Sequence, residues 1–246
     1  MSTLLLRLAG PMQAWGSSSR FSRRETETQP TKSGVIGLLA AAMGRRRTDS
    51  IEDLLELRFG VRLDQRGQVV RDFHTARTLD GASSMPLSQR FYLADAAFLA
   101  GVEAHPGLID ALDESLRHPT FPLYLGRRSC PPAGPVTLGR RDVDLVTALK
   151  NEPWQASRWW QRRHEQGTVE LDLVLDADEG HITQETYRDV PLSFDPRRRA
   201  YGMRSVVRAT TTVDNPSYDG APTTELSGQN TAINDHDPFA ALPGGG

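Results

Sequence analysis

The sequence has one cysteine, two lysines and no long apolar run, and each scarcity excludes a class of protein. Cys130 is the only thiol of the 246 residues, so no internal disulfide or paired-thiolate zinc site exists and folding must rest on packing. The longest uncharged apolar run, Gly34 to Gly44, has eleven residues, whereas a membrane helix requires roughly 20. Arg7 and Pro11 interrupt the N-terminal apolar stretch, and no basic region precedes it, so we expect no signal peptide and a cytoplasmic protein.

Nearly all of the positive charge is arginine. Of 29 basic residues, 27 are Arg, a composition that suits phosphates and stacked bases but that the codon bias of a GC-rich genome also produces. The clustering is more informative, because residues 1–47 carry a local charge of +6. Residues 213–246 carry five acidic side chains and no basic one, and their Pro and Gly content is typical of a poorly ordered tail.

Apolar periodicity predicts alternating strands and helices in the first half of the chain. Strands are expected at 3–8, 59–63, 68–74, 91–102 and 122–125. Helices are expected at 31–43, 50–57 and 108–117. Gly67 is placed in a tight turn that joins the second and third strands as a hairpin, and Thr31 is placed at the N-cap of the first helix. This order is close to the split βαβ arrangement of ferredoxin-like and RNA-recognition folds, so we predict an α+β class.

The chain is predicted to divide into three parts. Residues 1–142 form a ferredoxin-like domain of the RNA-recognition type, from which the polar segment 75–90 protrudes. Residues 143–213 form a small β-rich C-terminal unit with strands at 169–175, 182–187 and 200–212. Residues 214–246 form the acidic Pro/Gly-rich tail.

Motifs of nucleotide hydrolysis and metal binding are missing. Lys32-Ser33 is not preceded by a glycine loop, and none of the six histidines forms a metal-like pair at helical spacing. We therefore expect no metal, no cofactor and no catalytic residue. His74, after Asp72-Phe73, is the only histidine kept as a general acid or base candidate, and a strand-end His bonded to the backbone is the alternative.

Four separated motifs resemble a single family in their order and spacing. They are Leu6-Arg-Leu-Ala-Gly-Pro-Met-Gln-Ala-Trp-Gly16, Pro30-Thr-Lys-Ser-Gly34 with Gly37-Leu-Leu39, Asp72-Phe-His-Thr75 and Tyr124-Leu-Gly-Arg-Arg-Ser-Cys-Pro131. The set resembles the CasD family of RAMP proteins, which are subunits of type I-E CRISPR Cascade surveillance complexes. The resemblance covers most of residues 4–132 and is weaker across 143–212. It implies an RNA-recognition-type fold with a protruding thumb hairpin and a small C-terminal unit.

The resemblance also implies a function. It suggests a non-catalytic subunit that holds the repeat-derived 5′ handle of the CRISPR RNA (crRNA) and caps one end of an antiviral complex. The implied partners are the crRNA, a Cascade backbone subunit and the large PAM-reading subunit, with target DNA contacted only indirectly and no membrane. Because related subunits cleave RNA without metal, one alternative is a metal-independent endoribonuclease that uses His74 with Lys32 or Tyr124. Another is a ferredoxin-like interaction module without RNA.

The predicted RNA-binding residues combine these motifs with surface chemistry. Lys32 and Ser33 lie in the first turn of a helix, where free N–H groups and the dipole favour a phosphate. Arg127 and Arg128 follow a strand in a Gly- and Pro-bounded loop, and Trp15 either stacks on a base or covers the sheet edge. The full set is Gln13, Trp15, Arg20, Arg23, Lys32, Ser33, His74, Arg127, Arg128, Ser129 and Arg204.

Overall fold

The computed structural model describes residues 1–16, 23–178 and 185–219, and within them nine strands form one sheet. The strands are β1 (Ser2–Gln13), β2 (Arg23–Arg24), β3 (Arg58–Gln65), β4 (Gln68–His74), β5 (Ser88–Ala104), β6 (Thr137–Arg141), β7 (Thr168–Asp176), β8 (Glu185–Ser193) and β9 (Ala200–Asp214). The helices are α1 (Lys32–Ala42), α2 (Glu52–Leu55), α3 (Pro106–Arg117), α4 (Leu145–Asn151) and α5 (Arg158–Arg162). None of these helices is long and apolar enough to cross a bilayer.

The strand order confirms the predicted α+β class. β6, β1, β5 and β3 are neighbours in that order, each pair is antiparallel, and α1 and α3 follow β1 and β5 in the chain. This arrangement is that of a ferredoxin-like core. β7, β9 and β8 continue the same sheet beyond β3. Residues 168–214 therefore extend the sheet of the first part, and the division of the chain into parts stays a prediction.

Strand β1 is buried on both of its faces. Leu4, Leu6 and Leu8 belong to the main apolar cluster, which includes side chains of α1 and α3. Leu5 points to the opposite face and packs in a second cluster with Leu149 of α4. Because successive side chains of a strand alternate between faces, one run of leucines fills both layers.

The predicted hairpin at Gly67 is wrong, although Gly67 has the positive φ, +69°, that the turn required. β3 and β4 both pair antiparallel with β5, with Gln65 opposite Ala97 and Gln68 opposite Ala94. They therefore run in the same direction as one strand that bends at Gly67. A Cβ at this position would lie 2.5 Å from the carbonyl oxygen of Ala94, so glycine allows the bend to pass close to β5.

β4 and the first half of β5 form a two-stranded ribbon, here called the β4–β5 ribbon (residues 68–94). Residues 75–87 join its two strands, in the region that the sequence predicted to protrude. Its side chains include four large apolar residues that are more than half exposed, namely Val69, Phe73, Leu79 and Met85. Identification of the ribbon with a thumb stays a prediction.

The predicted strand at 122–125 is wrong. Residues 121–127 are irregular, and Leu125 makes one main-chain bond on each side, accepting from Ala14 and donating to Cys130. Gly126 has a φ of +84° and passes so close to the carbonyl of Ala14 that no side chain fits. The strand beside β1 is β6 instead, which the sequence analysis missed together with α5.

Candidate nucleic-acid interface

A groove of about 420 Å³ opens beside α1. One wall is the face of α1 that carries Ser33, Gly34 and Gly37, where small side chains leave room for a ligand. The rest of the groove is lined from residues 45–47, from the irregular segment 121–128 and from the connection between β8 and β9. Three segments distant in sequence therefore meet at one helix.

Four arginines give this groove a positive charge that the protein does not neutralise. Arg46, Arg47, Arg128 and Arg199 are exposed, and within the described ranges their guanidinium groups have no hydrogen bond or ion pair. No Asp or Glu of the described residues lines the groove. Four guanidinium groups are thus available to an anionic ligand, and phosphate is the ligand that their planar donors fit best.

A fifth arginine on the groove is already paired. Arg45 donates both guanidinium nitrogens to the carboxylate of Asp53 and a further bond to the carbonyl of Ser50. The hydrogen bonds between the two groups raise the pKa of Arg45 and lower that of Asp53. Arg45 therefore fixes the loop that presents Arg46 and Arg47.

Aromatic side chains line the same groove. They are Phe121, Tyr124, Phe194 and Tyr201, together with the ring of Trp15 at the floor. Phe121 is 39% exposed, so part of its ring is accessible. Arginine mixed with accessible aromatic rings is the composition of sites that bind single-stranded nucleic acid.

Trp15 and Gln13 are core residues. Of the two alternatives for Trp15, a buried position at the sheet edge is therefore correct, and stacking on a base is not. Both side chains are 0% exposed. The indole Nε1 of Trp15 donates to Oε1 of Gln13 at 3.0 Å, and Nε2 of Gln13 donates to the carbonyls of Leu8 and Ala96 at 3.0 and 2.7 Å. The Trp15 ring also lies against Gly34, where a Cβ would come within 2.7 Å of it. These two residues support the groove from below.

Lys32 and Arg204, which the sequence analysis predicted as RNA-binding residues, are paired with carboxylates of the protein. Lys32 Nζ lies 2.9 Å from Asp176, and Arg204 pairs with both Asp176 and Asp189 at 2.8 Å. Asp189 also accepts the main-chain N–H of Lys32 at 2.8 Å. A protein carboxylate therefore occupies the helix N-terminus where a phosphate was expected. Two cations and two carboxylates form a buried network that joins α1 to β7, β8 and β9.

Arg127 and Arg128 have different environments. The guanidinium of Arg127 lies 4.7 Å above the ring of Tyr92. It also donates to three main-chain carbonyls at 2.9 to 3.2 Å, those of Arg24, Glu25 and Phe91. Arg127 thus joins β2 to β5, whereas Arg128 is exposed and lines the groove.

The remaining predicted residues divide between the groove and other places. Ser33 lines the groove, and Ser129 is exposed directly after Arg128 in the sequence. Arg23 pairs with Glu25, and its guanidinium lies over the ring of Phe91 in β5. His74 is on the β4–β5 ribbon, 2.6 Å from the carboxylate of Asp72, and does not line the groove. Arg20 lies outside the described residues.

The sequence analysis missed three of the four exposed arginines of the groove. Arg46 and Arg47 belong to the triplet 45–47, and Arg199 ends the triplet 197–199. Both triplets were visible as local basic runs. Only the folded chain shows that residues of both triplets line one groove together with Arg128.

Comparison with known proteins shows similarity over most of the chain. The family model described as CRISPR-associated protein (Cas_Cas5) matches residues 3–207. The CRISPR system Cascade subunit CasD of Escherichia coli (strain K12) is 35% identical over 220 residues, which is 81% of this chain and 92% of that protein. A chain of a CRISPR RNA-guided surveillance complex is 34% identical with a TM-score of 0.73, covering 90% of this chain and 95% of that one. A solved Cas protein is 38% identical with a TM-score of 0.65, covering 88% and 97%.

Proposed function

The chain belongs to the Cas5 family of CRISPR-associated proteins, and from that premise we propose that it is a non-catalytic Cascade subunit whose groove holds the 5′ handle of the crRNA. The observation that carries this proposal is the groove itself: among the described residues, it has four arginines without a hydrogen bond or ion pair, four aromatic side chains on its walls and no carboxylate. Its volume of about 420 Å³ is in the range of ligand sites, roughly 300–1,000 Å³.

The chemistry of the groove fits a single strand better than a duplex. Phosphates of the strand neutralise the guanidinium groups, and unpaired bases stack on accessible rings. A base-paired helix hides its ring faces, so the aromatic residues would have no role in binding it. The repeat-derived handle is the single-stranded ligand that the Cas5 family membership suggests.

Two features support a binding role over cleavage. Metal-independent cleavage of RNA needs an acid and a base positioned at one phosphodiester. Of the three side chains considered for this chemistry, the ammonium of Lys32 is paired with Asp176, and His74 is on the β4–β5 ribbon outside the groove. Tyr124 alone lines the groove.

The β4–β5 ribbon supports a place at one end of the complex. Val69, Phe73 and Leu79 expose apolar surface on a structure that extends from the sheet. Clustered exposed apolar side chains mark protein contacts. We assign to this ribbon the contact with a neighbouring backbone subunit, and to the remaining surface the contact with the large subunit, so that target DNA is reached only through partners.

A pair of variants with equal charge tests the groove. Arg46→Ala with Arg128→Ala removes two groove arginines, and Arg71→Ala with Arg77→Ala removes two exposed arginines of the ribbon as a control. Each lost phosphate contact should cost about 1 to 3 kcal/mol of binding to repeat RNA and flatten the log–log salt dependence by about 0.7. A filter-binding titration at several salt concentrations measures both. Equal losses in the two variants would contradict the proposal.

A further inference from the structure

A second group of exposed arginines lies at the other end of β9, outside the groove. α5 carries Arg158 and Arg162 and is followed by Arg163. All three are exposed, and in the described part of the chain none of their guanidinium groups has a hydrogen bond or ion pair. Glu165 is the single carboxylate between residues 157 and 167. Together with Trp159, these arginines are here called the α5 patch.

Trp159 gives the patch an accessible aromatic ring that is held in place. It is 45% exposed, and the guanidinium of Arg163 lies 5.7 Å from the centre of its ring. Trp160 contacts it edge-on at 5.4 Å, and the ring contacts continue through His164 to the buried Trp154. An aromatic side chain already fixed by its neighbours loses little conformational freedom when a ligand stacks on it.

A cavity of about 460 Å³ lies beside α5. Arg158 and Arg162 line it together with Gln161, Pro216 and Ser217. Its wall is rigid, because the buried amide of Asn215 donates to the carbonyl of Gln161 at 3.0 Å and Ser217 Oγ donates to the side chain of Gln161 at 3.0 Å. Two guanidinium groups on a fixed wall, with the exposed indole of Trp159 on the residue that follows Arg158, suit a phosphate and a neighbouring unstacked base.

We propose that the α5 patch is a second nucleic-acid-binding site, which takes a single-stranded segment with phosphate at Arg158 and Arg162 and a base on Trp159. The groove meets β9 at Tyr201 and the patch meets the chain just after Asp214. At about 3.3 Å per residue the two sites are on the order of 40 Å apart along the strand. They therefore hold different nucleic-acid segments and can be tested separately.

The experiment uses the full chain with the groove disabled by Arg46→Ala, Arg47→Ala, Arg128→Ala and Arg199→Ala. Binding of fluorescent oligouridylate and oligothymidylate is followed by anisotropy at several salt concentrations. Arg158→Gln with Arg162→Gln should weaken binding at least about tenfold and flatten the salt dependence by about 1.4. Trp159→Ala should weaken binding about fivefold or more, and Trp159→Phe should retain most of it.

The two oligonucleotides separate the sources of the ligand. If the patch variants lose affinity equally for both oligonucleotides, the patch binds the phosphates and bases of either RNA or DNA. If they lose affinity only for oligouridylate, the ligand is RNA. Unchanged affinity and salt dependence in all patch variants would overturn the proposal. Binding that is found only in a chain ending at Asp219 would also overturn it, because the acidic residues that follow would then occupy the patch. Melting temperatures confirm that the variants are folded.

Discussion

Replacing Arg127 by alanine should lower the stability of the fold, whereas replacing Arg128 by alanine should lower the affinity for RNA, although the two residues are adjacent and have the same side chain. Arg127 makes three main-chain hydrogen bonds and lies over Tyr92. For a half-buried guanidinium these bonds are worth about 0.5 to 1.5 kcal/mol each and the ring contact about 0.5 to 1 kcal/mol. Because such contributions do not add fully, Arg127→Ala should lose about 2 to 3 kcal/mol of unfolding free energy.

That loss corresponds to a melting temperature lower by about 4 to 12 °C for a chain of this size. Within the described ranges the guanidinium of Arg128 has no hydrogen bond or ion pair to lose, so Arg128→Ala should melt within about 1 to 2 °C of the wild type, as surface changes do. Its repeat-RNA affinity should nevertheless fall by about 1 to 3 kcal/mol, since its charge faces the groove.

Thermal denaturation followed by circular dichroism, paired with filter binding, separates the two defects. Arg127→Lys is the matched control, because it retains the charge and loses the planar fork that reaches three carbonyls, and it should be intermediate in stability. A wild-type melting temperature for Arg127→Ala would refute the structural role of that residue. Unchanged RNA affinity in Arg128→Ala would refute the assignment of the groove.

Two further variants and one measurement on the unaltered chain test the interior. Asp189→Ala should lower the free energy of unfolding, measured in urea, by about 3 to 5 kcal/mol, because it leaves Arg204 without one of its two buried carboxylates. A smaller loss than for an exposed Asp→Ala control would contradict the network. A chain ending at Asp214 should be about 2 to 3 kcal/mol less stable than one ending at Asp219, because Asn215 donates to three carbonyls, and equal stabilities would show that these bonds are dispensable. Burial raises the pKa of the Cys130 thiol, so the free energy of unfolding should decline as the pH rises past the ordinary thiol pKa. A thiol reagent should react with Cys130 only as fast as the chain opens, and rapid labelling of the folded chain would contradict this.

Local signals were sufficient for α1 and α3 and for the class of fold. Thr31 caps α1 by accepting the N–H of Gly34 at 3.2 Å, an interaction that spans three positions and is therefore visible in the sequence. The apolar runs of β1 and β5 likewise identify central strands. A ferredoxin-like order follows once these strands alternate with two helices.

Long-range polar pairs explain most of the errors. Lys32 Nζ pairs with Asp176, 144 positions away, and its main-chain N–H donates to Asp189, 157 positions away, so the sequence shows a basic residue at a helix start and hides both partners. Arg62 is 0% exposed because Asp64 pairs with it two residues later and three distant carbonyls accept its remaining donors. A polar segment of this kind resembles a turn, which is why β3 and β4 were predicted as a hairpin.

The groove was only partly predictable for the same reason. Ser33 and Arg128 were found because they belong to contiguous motifs. Arg46, Arg47 and Arg199 join them only because α1 lies against the turn between β8 and β9, an arrangement that depends on pairing between distant strands. Sequence patterns indicate that a residue is exposed more readily than they indicate which exposed residues share a surface.

Footprinting of crRNA in an assembled complex tests most directly whether the groove holds the handle. The complex is assembled with the wild-type chain or with the variant Arg46→Ala, Arg47→Ala, Arg128→Ala and Arg199→Ala, and nuclease or chemical protection is mapped along the RNA. The groove assignment predicts that the wild type protects the 5′ handle and that the variant loses this protection while the rest of the RNA stays bound by other subunits. Full protection of the handle in the variant would contradict it.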